Sequence, residues 1–240
     1  MQATRLEFEQ RFWFIGAIFF LGFSCSWLDH TNAAAGLIHL LAPTASEAET
    51  DRGVRIVFFA ATGLLILAAM LRTWATAYLR AEIVHDTAQH SSHIVADGPF
   101  RHVRNPLYLA AILMAAGIGT MASRLGWLVI VIGMTIFFYR LIFREEAGLL
   151  AAQGDSFRAY MSKVPRMIPS PWPRVPAGTT GPRWGQAIIG ELFFWLLAAG
   201  MAAFGLTLDM RLAAITFLFS FAIYFAATAI VRKRARRSAP

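Results

Sequence analysis

The sequence predicts an all-α, polytopic membrane protein with about six transmembrane helices. Three observations predict it. The 240 residues are 57% hydrophobic and only 15% charged, whereas an average soluble domain carries about 25% charge. Apolar runs of roughly 17–20 residues recur, long enough to cross a hydrocarbon core of about 30 Å as helix. The runs lack the alternation of barrel strands, and lipid satisfies no backbone hydrogen bonds, which leaves helices.

The runs cover residues 12–28, 54–71, 106–122, 125–143, 185–208 and 212–231. The first is long for a signal segment and no convincing cleavage site precedes Asp29, so it reads as a true span. The loop that follows, residues 29–53, holds an apolar patch at 37–41 that reads as a brief interfacial helix. His30 and His39 there read as loop polar groups. The third run opens at Pro106, a good first helical residue because its missing N–H has no helical partner anyway. A residue before proline avoids the helical region, so Asn105 reads as the cap. Only Ser123-Arg124 separates the third and fourth runs, which predicts a tight antiparallel helical hairpin. The fifth run contains Glu191. An intramembrane carboxylate is a functional candidate by default, although this one sits near enough to a helix end to reach the interface. The sixth run leads into Arg232-Lys233-Arg234-Ala235-Arg236-Arg237. Directly after a span, such a tail reads as an anchor on anionic lipid rather than a nucleic-acid site.

Charge sets the orientation. With the N-terminus inside, eighteen of the 22 Lys and Arg residues fall on the inner side, and only Arg52, Arg55, Arg124 and Arg211 fall outside. That bias predicts both termini in the cytoplasm and an even number of spans, as in a bacterial inner-membrane protein. The net charge of +8 is mostly this asymmetry. The lone cysteine, Cys25, excludes an internal disulfide and a cysteine-based metal cluster, and reads as an ordinary apolar residue.

Two polar, turn-rich segments interrupt the apolar pattern: residues 97–108, and residues 145–169. Both fall on the predicted cytoplasmic side. Polar groups are costly at a membrane edge, so the two segments point to one site. The start of the third helix presents free N–H groups and a positive dipole end beside Arg101, His102 and Arg104, a place to hold a carboxylate. Arg101 alone reads as a membrane anchor. The hairpin returns Glu145 and Glu146 to the level of Arg104–Tyr108. Adjacent helical residues point about 100° apart, so one glutamate can bind a cation while the other pairs with an arginine. Gly154 and Asp155 break the helix, Phe157 and Tyr160 share a face, and Pro165 and Pro169 end an element that reads as a flap. His85, His90 and His93 lack the spacing of a helical zinc motif, and no metal is predicted. No Gly-rich phosphate loop, GxSxG elbow or Walker motif is present.

These residues carry a resemblance. Leu71-Arg72-Thr73-Trp74, then Gly98-Pro99-Phe100, then Arg104-Asn105-Pro106-Leu107-Tyr108 precede the hairpin. Glu145-Glu146-Ala147-Gly148-Leu149, Gly154 with Phe157 and Tyr160, and Val164-Pro165 with Pro169 follow it. In this order the pattern resembles the integral membrane methyltransferases typified by isoprenylcysteine carboxyl methyltransferase, with phospholipid methyltransferases as relatives. The chain departs from the pattern at Asn105, where the family has His, and at Phe100 and Phe157, where it has Tyr. Asn keeps a hydrogen-bonding group without a titratable ring.

The resemblance implies S-adenosylmethionine as cofactor and methyl transfer to a lipid-like or prenylated acceptor (a carboxylate, amine or thiol) at the cytoplasmic face. It implies cofactor binding by Gly98, His102, Arg104, Asn105, Tyr108, Glu145, Glu146 and Tyr160, with Arg104 and Glu146 as the catalytic pair. It divides the chain into an N-terminal span and outer loop (1–53), a methyltransferase core (54–170) and two added spans with the basic tail (171–240). Partners are then a lipophilic acceptor and membrane lipids, without nucleic acid; oligomeric state is left open. The alternatives are an NADPH-dependent membrane reductase of the steroid-reductase type and a non-enzymatic membrane protein.

Overall fold

The computed structural model describes residues 2–79, 96–178 and 180–237, with side chains as far as Tyr224 and at Ala226 in the last helix. Among the described residues there are ten α-helices and no strands. They are α1 (Arg5–Glu9), α2 (Arg11–Ser24), α3 (Ala33–Leu41), α4 (Glu47–Tyr78), α5 (Pro106–Gly119), α6 (Arg124–Gln153), α7 (Asp155–Lys163), α8 (Trp184–Gly190), α9 (Leu192–Thr207) and α10 (Met210–Arg237). His85, His90 and His93 lie outside the described residues. Among those described, no three His, Cys, Asp or Glu side chains gather as metal ligands.

Each apolar run is mainly helical. Helices α4 and α6 are each long and apolar enough to cross a membrane. With 32 and 30 residues, they run roughly 48 and 45 Å at 1.5 Å per residue. Both outlast their apolar runs, α4 at both ends and α6 mainly at its C-terminal end. Ser46 and Glu49 form a capping box before α4, and the Ser123 hydroxyl accepts from the Gly126 N–H at the start of α6. Helices α2 and α5 are shorter, 14 residues each. The interfacial patch forms α3, capped by Asn32, whose side-chain oxygen accepts from Ala34 and Ala35 N–H.

The fifth run differs from the single helix expected. Helices α8 and α9 meet at Glu191 with a bend of 54°. Glu191 itself has φ −101° and ψ 8°, outside the helical region. Its carboxylate turns to Arg72 of α4, 2.5 Å away.

Small residues let the helices close on one another, the usual device where lipid offers no hydrophobic drive between helices. Gly22 of α2 lies so near Gly126 of α6 that a Cβ on Gly126 would stand 2.2 Å from the Gly22 carbonyl oxygen. Ile130, Met134, Phe137 and Leu141 form a core between α2, α5 and α6. Phe58 and Leu65 of α4 pack with Leu197, Met201 and Phe204 of α9 in another.

Polar ties gather the helix ends into two sets. At one end, Arg124 pairs with Asp29 at 3.0 Å, the Ala33 N–H donates to Ala122 O, and Arg55 donates to Gly205 O and Leu206 O. At the other, the Arg104 N–H donates to Pro165 O, and Arg140 pairs with Glu7 at 2.7 Å. The two polar segments therefore meet at one end of the bundle.

Candidate active site at the start of α5

Pro106 begins α5, as its missing N–H and fixed φ favour. Asn105 occupies the cap position, as expected, but its side chain makes no capping bond. Its Nδ2 donates instead to Glu146 Oε1 and to Arg166 O, both at 3.2 Å. Helix geometry leaves the first N–H groups of α5 without intrahelical acceptors, and no side chain caps them.

Glu146 is the centre of the cluster. Its Oε1 lies 3.3 Å from Arg104 Nη1. Its Oε2 accepts from Arg166 Nη2 at 2.8 Å and Nε at 3.0 Å. The side chains of Glu146 and Arg104 are 9% and 11% exposed. Arg104 Nε is buried without a hydrogen-bond partner among the described residues. Burial pushes the Arg104 guanidinium below its ordinary value, and the Glu146 carboxylate opposes that. Arg104 is thus a buried cation with one unused donor beside a shared carboxylate.

The adjacent glutamate does something else, as the 100° step between neighbours requires. Glu145 Oε1 accepts from the Tyr108 hydroxyl at 2.6 Å. Tyr108 lies in α5 and Glu145 in α6, so this bond closes the hairpin beside the cluster. Gly154, at φ 55°, ends α6, and α7 folds back with Phe157 and Tyr160 buried. The Tyr160 hydroxyl donates to Phe100 O at 2.7 Å, and burial pushes its phenol up.

Not every candidate joins the Glu146 cluster. His102 Nδ1 meets Ser170 O at 2.9 Å; a carbonyl only accepts, so this nitrogen carries the proton. The His102 ring lies 5.8 Å from Trp74. Gly98 adopts φ 54°, with Tyr78 against its Cα: a Cβ there would fall 2.4 Å from the Tyr78 ring. Arg101 Nε donates to Val175 O, away from Glu146. The sequence reading missed Arg166, the nearer of the two arginines on Glu146. Its signal was its place between Pro165 and Pro169, in a segment already assigned to the flap.

A cleft of about 310 Å³ opens beside the cluster, between Glu146 and Arg166 on its polar side and Phe143, Leu150 and Met161 on its apolar side. Gln2 lines it too, brought there by the N-terminal arm. The arm is tied down by Ala3, whose N–H donates to Arg140 O and whose carbonyl accepts from Arg144.

Residues 56–152, which contain most of this geometry, match the family described as phospholipid methyltransferase. This part of the chain is similar to the membrane methyltransferases. A protein-S-isoprenylcysteine O-methyltransferase of Schizosaccharomyces pombe is 34% identical over 107 residues, an alignment that covers 38% of this chain. The alignment takes in 44% of that relative, so the chain spans less than half of its length. No solved structure matches.

Proposed function

We propose that this protein is a methyltransferase of the cytoplasmic membrane face, using S-adenosylmethionine to methylate a lipid-like or prenylated acceptor. The observation that carries the reading is the buried, incompletely bonded Arg104 beside Glu146 at the uncapped start of α5. It lies within the segment that matches a methyltransferase family. The donor set fits the cofactor. Its carboxylate suits Arg104 and the α5 N-terminus, its ammonium suits Glu146, and its sulfonium suits the faces of Tyr108 and Tyr160. When bound, the cofactor supplies an electrophilic methyl group, lost from sulfur as the acceptor atom attacks in line.

The residues then align and exclude water rather than forming a covalent bond. Arg104 and Glu146 hold the cofactor's two opposite charges. Asn105 and Arg166 keep Glu146 in place. Tyr108 and Glu145 fix the hairpin, and Tyr160 shuts the flap onto Phe100. Gly98 and His102 shape the loop that carries Arg104. An acceptor carboxylate needs no general base. An amine or thiol acceptor does, and His102, with Nδ1 on a carbonyl, has Nε2 to accept the proton. Residues 54–170 form the catalytic core in this reading, with 1–53 and 171–240 as additions, both termini cytoplasmic in a bacterial inner membrane.

A transfer assay tests it. Purified protein in detergent is given cofactor with a labelled methyl group and panels of prenylated thiols, phospholipids and isoprenoid acids. Labelled acceptor from at least one panel is expected, and its loss in Arg104→Ala. No transfer to any panel, with no cofactor bound, contradicts the proposal.

A further inference from the structure

The end of α4 is gripped from outside the segment that matches the family. Arg72 pairs with Glu191 through both nitrogen–oxygen contacts, Nε–Oε2 at 2.5 Å and Nη2–Oε1 at 3.3 Å. Its guanidinium carbon also lies 4.0 Å from the centre of the Phe194 ring. Thr73 Oγ1 accepts from Trp195 Nε1 at 3.1 Å. Ala77 O accepts from the Arg183 N–H at 2.8 Å. All four partners lie between the start of α8 and the first turn of α9.

The same turns of α4 support the site. Trp74 and Tyr78, one turn apart on a shared face, meet His102 and Gly98 respectively. The loop from Gly98 to Arg104 thus rests on a post whose other faces are held by α8 and α9. A carboxylate with 6% of its side chain exposed is costly in an apolar helix pair. A buried ion pair is also a weak stabiliser compared with apolar packing. What a two-contact pair does supply is direction, because a planar guanidinium on a carboxylate fixes the relative rotation of the helices that carry them.

We propose that Glu191 is a positioning residue for the candidate active site. By clamping Arg72 it sets the end of α4, and through Trp74 and Tyr78 it sets the loop that presents His102 and Arg104. This rests on the reading of that loop as part of the cofactor site. The added C-terminal helices are then a working wall of the enzyme rather than an appendage.

The test uses the full chain in detergent and two measurements. One is hydrogen exchange at the Arg104 and Ser170 amides, bonded to Pro165 O and His102 O, measured without cofactor. The other is affinity for S-adenosylhomocysteine, the demethylated product. Glu191→Gln breaks the pair. Arg72→Met with Glu191→Leu removes both charges at similar volume, so its melting temperature is expected to stay near wild type. Both are expected to speed exchange at the two amides and to weaken affinity, each by about tenfold. Glu191→Asp, which keeps the charge, is expected to fall between Glu191→Gln and wild type. Wild-type exchange and affinity in the paired variant overturn the proposal. Where the paired variant melts early, equal effects of Glu191→Asp and Glu191→Gln below both melting temperatures overturn it. Exchange judges Glu191 independently of ligand. A wild type that binds no product therefore refutes the cofactor reading and leaves the exchange result to decide the role of Glu191.

Discussion

Truncating Arg104 separates binding from stability. Arg104→Ala removes a guanidinium 3.3 Å from Glu146 Oε1. Glu146 nevertheless keeps Arg166 at 2.8 Å and Asn105 at 3.2 Å. No buried charge is left alone. The long Arg104 contact contributes about 1 kcal/mol, and loss of the unsatisfied Nε offsets part of it. The melting temperature should therefore shift little. Cofactor affinity should fall by about 1.5–3 kcal/mol, the range for a hydrogen bond to a charged group, or roughly 10- to 150-fold. Glu146→Ala is the opposite case. It leaves Arg104 and Arg166 facing each other without a carboxylate and should cost about 3 kcal/mol or more in stability. The assay is calorimetric titration of S-adenosylhomocysteine alongside thermal melting. Arg101→Ala serves as the control and should change affinity by less than about twofold. Wild-type affinity in Arg104→Ala, or a loss equal to that of Arg101→Ala, refutes the reasoning.

Other outcomes follow from single contacts. Tyr160→Phe removes the donor to Phe100 O and should lower stability by about 1–2 kcal/mol, read by thermal melting; an unchanged melt contradicts the buried bond. The Arg140 guanidinium, with help from the Thr4 N–H, holds the Glu7 carboxyl at about 2 against an ordinary 4.5. A depressed carboxyl stabilises the fold above its ordinary value and loses that contribution as pH falls toward 2. A spin label at position 5 should therefore become mobile over that acid range, and in Glu7→Gln should be mobile at every pH. For topology, cysteines placed at Ser46 and Ser156 in a Cys25→Ser background should label from opposite sides of the membrane. Labelling from one side contradicts the orientation set by the basic residues.

The fold was legible wherever a local rule decided it. Pro106 starts α5 and Gly154 ends α6, as a missing N–H and a positive φ dictate. The 100° step between Glu145 and Glu146 foretold their different partners. Long-range choices were not legible. Nothing local says that Glu191 turns to Arg72, 119 positions away. Asn105 fitted the rule for a cap and stands at the cap position, but no local rule foretold that its Nδ2 donates to Glu146 and the Arg166 carbonyl. Arg166 went unassigned because its role exists only once the flap folds back onto α6.

The central claim is that the Arg104–Glu146 cluster binds a methionine-derived cofactor, and equilibrium titration of the purified wild type tests it most directly. Saturable binding of S-adenosylmethionine and S-adenosylhomocysteine is predicted, weakened in Arg104→Ala, with none of NADPH. Saturable binding of NADPH with neither methionine cofactor bound would contradict the account.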